Sequence, residues 1–203
     1  AGGGFNGEAI RTKPSMQRVR ENANEFGQCS RVKKAFRLAL MTFLYGYRDN
    51  QLHARMMTLF TGIKKLDGVS VRGERRVGVG LETAKGRRLL RDFAFTPQNT
   101  MLDGLKSRAH FDWNTQVLTV TDYKPKSYKL PQAATHIGIT MGVLDFDFDS
   151  LDSVLRVSST HFLEVGSGGA TFDLAPETVV VPEHVGVVVL GLRFYELIED
   201  ELY

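Results

Sequence analysis

The chain has 203 residues, 42% of them hydrophobic and 24% charged. That balance fits a folded domain, with or without an appendage, and argues against disorder. Net charge is only +3, but residues 1–110 carry 21 Lys/Arg against 9 Asp/Glu (+12), and residues 111–203 carry 5 against 14 (−9). The longest apolar run, near Leu38 to Leu44, is too short to span a bilayer, so no membrane span is expected.

The start, AGGGFNGEAI, has no basic n-region and no apolar h-region, so no secretory signal is read. A cytoplasmic location or a released particle is expected over secretion. Cys29 is the single cysteine, so no internal disulfide holds the fold. In its helical context it reads as a small buried apolar residue.

Residues 1–13 form a glycine-rich arm around Phe5 and Asn6. Phe5 and Ile10 are its candidate anchors against another subunit. Residues 14–68 are expected to be helical. Pro14 and Ser15 open the first helix, with Ser15 a partial cap because Arg18 stands where a capping box has Glu. Arg18, Arg20, Glu21, Asn22, Asn24 and Glu25 make the segment polar nearly all round, so it needs a partner surface. Gly27 is expected to break or bend it.

Val32, Ala35, Phe36, Ala39, Leu40 and Phe43 then fall on one helix face. Arg31, Lys33, Lys34 and Arg37 crowd the first half of that helix, the end where its dipole favours anions. They read as a solvated face or as cations placed for a partner. The stretch Gly46–Asn50 ends the helix, and Asp49 or Asn50 caps another with Leu52, Met56, Leu59, Phe60 and Ile63 on one side. Lys64 and Lys65 suit its last turn, and Gly68 stops it.

Residues 69–203 read as an antiparallel β-sandwich, making the fold class α+β. Val69, Val71, Val77, Val79 and Leu81 alternate with polar residues. Phe93, Phe95 and the turn Pro97-Gln98-Asn99 follow. His110 to Val120 reads as two strand pieces around an Asn-containing turn. Further strands are expected at His136–Met141, Gly142–Phe148, Phe162–Val165, Thr178–Val181 and Val185–Leu197.

Asp145, Asp147 and Asp149, with Asp152 after them, suggest a calcium loop at first sight. Counted from Asp145, Ser150 stands where such a loop needs Gly and Arg156 where it needs Glu. Strict alternation with Phe instead describes a strand with one acidic face. Gly166-Ser167-Gly168-Gly169 lacks the Lys-Ser/Thr of a phosphate loop. His53, His110, His136, His161 and His184 show no metal-ligand spacing. Ser158, Ser159 and His161 lack a nucleophile elbow. No catalytic residue, metal or cofactor is therefore expected.

Gly4-Phe5-Asn6-Gly7, Thr12 to Met16, and Arg18 to Gly27 together resemble the "TDPAF-RTREN-EFG" block of an uncharacterised family of Bacteroidota proteins. Lys13-Pro14-Ser15 stands where that block has Asp-Pro-Ala. Arg72-Gly73-Glu74-Arg75, the turn Trp113 to Gln116 and the Asp145–Asp149 strand are similar to patterns in the same proteins. The resemblance implies a bacterial helix-plus-sandwich domain and transfers no catalytic residue.

The functional expectation is a non-enzymatic structural subunit that self-assembles into a filament, tube or phage-like particle. Arg18, Arg20, Arg31, Lys33, Lys34 and Arg37 would meet Asp145, Asp147, Asp149 and Asp152, or Glu199-Asp200-Glu201, of the next copy. Opposite charge on two ends favours head-to-tail contacts. The alternative is a polyanion or nucleic-acid binder using the basic helices.

Overall fold

The computed structural model describes residues 7–97 and 99–203 and joins helices to antiparallel strands, helices first. Two compact units divide the chain. The first comprises residues 1–95 together with 147–152, and the second comprises 96–146 with 153–203.

The helical unit starts with α1 (Gly7–Thr12) and a 3-10 turn at Pro14–Met16. Ser15 lies inside that turn, and no side chain caps the helix that follows, α2 (Gln17–Ala39). Gly27 does not break this 23-residue helix. One helical Gly costs about 1 kcal/mol, which the apolar face formed by Cys29, Val32, Phe36 and Leu40, buried 3–4 residues apart, outweighs. After α3 (Met41–Leu44) comes α4 (Leu52–Lys64). Asp49 Oδ1 accepts from the Gln51 amide at 2.7 Å just before it. The core is completed by Met56, Phe60 and Ile63 of α4 and by Phe148. Phe36 stands edge-on to Phe60, ring centroids 5.6 Å apart, and stacks on Phe148 at 5.8 Å.

The expected strands at Val69–Leu81 do not form. Val69 and Val71 sit in an exposed loop, and Val77–Glu82 is helix α5, followed at once by α6 (Ala84–Arg91). Glycine spacing, not strand alternation, is the signal in this stretch. A Cβ at Gly80 would overlap the Ile63 carbonyl, and one at Gly86 would overlap the Gly80 carbonyl. The short helices therefore cross at backbone contact, which only glycine permits. Helix thus extends well past residue 68, and the helical unit runs to Phe95.

The strand unit opens with α7 (Thr100–Ser107), capped by Asn99 Oδ1 accepting from the Leu102 amide at 3.1 Å. Strands β1 (Ala109–Asp112) and β2 (Val117–Tyr123) form the expected hairpin. Strand β3 is a single run, His136–Phe146, where two strands were expected. Strands β4 (Ser153–Val157), β5 (His161–Glu164), β6 (Ala170–Leu174) and β7 (Val185–Tyr195) follow, then the small hairpin β8 (Leu197–Ile198) and β9 (Glu201–Leu202). Thr178–Val181 is not a strand, and Val181 is 72% exposed.

All pairings are antiparallel. One sheet has the order β1-β2-β6. In the other, β7 covers β3 from end to end, so β4 and β5 share the opposite edge of β3, on Gly142–Phe146 and His136–Ile139. Between them Ser158 continues the ladder with its side chain: Oγ accepts from the Met141 amide at 3.0 Å and donates to the Ser159 carbonyl at 2.8 Å. Leu118, Val120, Ile137, Ile139, Met141, Val143, Phe172 and Leu174, with Met101 and Leu105 of α7, form one buried cluster.

Candidate assembly surfaces

The charge division of the sequence follows the two units. Residues of the helical unit include 19 Lys/Arg and 11 Asp/Glu (+8), and those of the strand unit 7 and 12 (−5). Arg18, Arg31, Lys34 and Arg37 are exposed on α2. Phe26 (63%) and Leu38 (56%) are exposed among them.

The other two predicted basic residues are used inside the unit. Arg20 Nη1 donates to the carbonyls of Ile10 at 2.7 Å and Lys13 at 2.9 Å. That ties α1 to α2, so Ile10 is held within its own chain; Phe5 lies outside the described residues. Lys33 is buried, its ammonium 2.8 Å from His53 Nδ1. Burial and the nearby Arg37 push the Lys33 pKa down from 10.5.

The aspartates do not make an acidic strand face. Asp145, the last residue but one of β3, has both oxygens occupied, accepting from the amides of Glu183 at 2.9 Å and His184 at 3.0 Å. Asp147 lies past the strand end, and its Oδ1 accepts from the Asp149 amide at 2.8 Å. An aspartate that bonds backbone two residues on favours a turn over an extended strand, and this turn ends the alternation. Asp149 pairs with Arg76 at 3.1 Å, and Asp152 is exposed. Glu199 and Asp200 form the tight turn of the β8–β9 hairpin, with φ of 49° and 68°. Together with Glu201 they are exposed.

The most concentrated polar cluster is one the residue patterns do not reveal. Glu25, 2% exposed on α2, accepts from Arg75 Nε at 2.7 Å and Nη2 at 2.9 Å, from the Gly73 amide at 2.9 Å, and from Lys64. Arg75, with Lys64 and the Gly73 amide, holds the Glu25 carboxyl at about 2 despite its burial. Beside it Asp67 accepts from the amides of Val69, Ser70 and Arg76 at 2.9–3.0 Å. Burial works to raise the Asp67 pKa, but these donors outweigh it and hold it at about 2. Arg72 adds a pair with Glu21 at 3.2 Å and a bond to Asn22 Oδ1 at 3.1 Å.

Chemically this is a clamp. Both Glu25 oxygens are taken by donors, which leaves a poor general base. The cluster fastens the loop after α4, Asp67–Arg76, to one face of α2. Elsewhere, burial pushes the Cys29 thiol up and the His161 imidazole down, the latter stacked on Phe172 at 4.1 Å. Among the described residues no group of three or more His, Cys, Asp or Glu could hold a metal, and no helix is long and apolar enough to cross a membrane. No family model, curated protein or solved structure matches the chain.

Proposed function

We propose that the chain is a non-enzymatic structural subunit that self-assembles into a filament, tube or phage-like particle. The helical unit of one copy would meet the strand unit of the next. The observation that carries this reading is the division of charge between the units, +8 against −5. The basic contact reduces to Arg18, Arg31, Lys34 and Arg37, interleaved with exposed Phe26 and Leu38. The acidic contact reduces to the Glu199–Glu201 turn, because exposed Asp152 belongs to the helical unit. Opposite patches on different parts of one molecule make heterologous contacts, which close into rings or propagate as polymers. We also read the strand unit as a β-sandwich, because strands of both sheets contribute to a single apolar cluster.

Size-exclusion chromatography with light scattering, across a salt series, tests the reading. Species larger than a dimer are expected at low salt and disperse as salt rises. A mass that does not depend on salt overturns it. A second reading, polyanion binding, is favoured by the basic helix Ala84–Arg91, whose Lys85 and Arg88 are exposed. It predicts retention of random DNA or RNA on filters that falls steeply with salt. No retention at low salt removes it.

A further inference from the structure

We propose that the outer edge of β7 pairs with the same edge of a second copy, antiparallel across a two-fold axis. The inference rests on the self-associating reading but names a different surface, and it fails separately from the charge contacts.

Strand β3 occupies one edge of β7 along all its 11 residues and is its one neighbouring strand among the described residues. Half the amides and carbonyls of Val185–Leu192 therefore face away from any strand. Native edge strands of this length are normally blunted by charge, proline, a bulge or a cover. Val185–Leu192 has no charged residue and no proline, and its register with β3 runs without a bulge. Val188, Leu190 and Leu192 pack on the core cluster yet stay half-buried. Their partial burial is what the end of a sheet looks like, and one more strand would complete it.

The occupant follows from the strand itself. An extended apolar edge of unsatisfied backbone groups is matched by another extended backbone. Paired antiparallel about Val188, β7 complements its own copy. Gly186 then faces Leu190, Gly191 faces Val185, and Arg193 at one end meets Glu183 at the other. Trp113, 47% exposed, covers Gly186, where an added Cβ would approach the indole ring to 2.8 Å. Leu190 of the second copy would come against that indole. The two-fold contact therefore offers small-against-large packing, an aromatic cover and two symmetric opposite-charge pairs.

Sedimentation velocity of the full chain at high salt tests the pairing. The wild type is expected as a dimer, because backbone pairing and apolar burial resist screening. Val189→Lys should weaken self-association at least about tenfold, with far-UV circular dichroism unchanged. Val188→Cys places one cysteine on each side of the axis, within the about 4.4–6.8 Å Cα span of a disulfide, and should give a covalent dimer on mild oxidation. Buried Cys29 gives none in the wild type. A wild-type monomer at high salt overturns the proposal, as does a dimer that Val188→Cys does not cross-link. If Val189→Lys does not fold, the cross-link alone decides. Low-salt polymers that disperse to monomers remove the β7 contact and keep the charge contact; a high-salt dimer without low-salt polymers does the reverse.

Discussion

Among the described residues, the buried charged side chains all lie in the helical unit and none in the strand unit. Glu25, Lys33, Lys64 and Asp67 are buried in the first, whereas Gln116 and Ser158 are the polar residues buried in the second. The difference comes from how each satisfies its backbone. Where β1 to β7 adjoin one another, ladders satisfy their amides and carbonyls and only outer edges such as that of β7 stay open, so their core can be apolar. The loop Asp67–Arg76 has no ladder. Its amides at Val69, Ser70, Gly73 and Arg76 find carboxylates instead. Carboxylates brought inside then require cations, which Lys64 and Arg75 supply.

Breaking the clamp should give the largest effect. Glu25→Ala leaves Lys64 and Arg75 without their anion and is expected to cost about 3–5 kcal/mol in urea unfolding. The same group makes the helical unit acid-sensitive. Glu25 is held at about 2 when folded, against an ordinary 4.5, and Asp67 at about 2 against 3.8. Folded values below unfolded ones mean stability that is complete above pH 4.5 and is lost as pH falls towards 2. The Glu25 part is about 3 kcal/mol, and it should vanish from the pH profile of Glu25→Gln. A Gln variant as acid-sensitive as the wild type would show that Glu25 is not the titrating group.

The strand unit offers the contrast. Leu118 is buried in the apolar cluster and paired with Phe111 and Leu174. Leu118→Ala should cost about 2–4 kcal/mol through lost burial and a cavity. That loss should be equal at pH 7 and pH 4, since both its strand partners are apolar. A loss that shrinks with acid would place an ionisable contact at Leu118.

The two units also differed in how readable they were. Periodicity identified α4 and most of α2 because Val32, Phe36, Leu40, Met56 and Phe60 repeat at helical spacing and are buried. It located β1, β2, β5 and β7 by alternation and flanking turns. It misread Val77–Leu81, where valines alternate with glycines and Gly80 is needed for backbone contact with Ile63. It gave no sign of β4 or β6, five residues each, whose formation depends on pairing with β3 and β2. The clamp was invisible because Glu25 and Lys64 stand 39 residues apart in unremarkable helical contexts. The Asp145–Asp149 pattern was visible, but Asp145 lies within a strand while Asp147 builds the turn after it.

Lys33 gives the smallest expected effect and the sharpest test of what a buried charge is for. It is 7% exposed and its bond is to the His53 ring rather than to a carboxylate. Desolvating an ammonium for an imidazole alone returns little. Lys33→Met keeps the stem and removes the charge, so it should be neutral or stabilising by about 1 kcal/mol at pH 7. The sign of the pH dependence follows from the depressed folded pKa. The folded state releases its proton first, so wild-type stability gains on the variant as pH rises through the folded value towards 10.5. Urea unfolding of both proteins across that alkaline range measures the difference. A variant clearly less stable at pH 7, with a difference that stays flat with pH, would mean that the Lys33–His53 bond holds α2 to α4 and that the burial is not a cost.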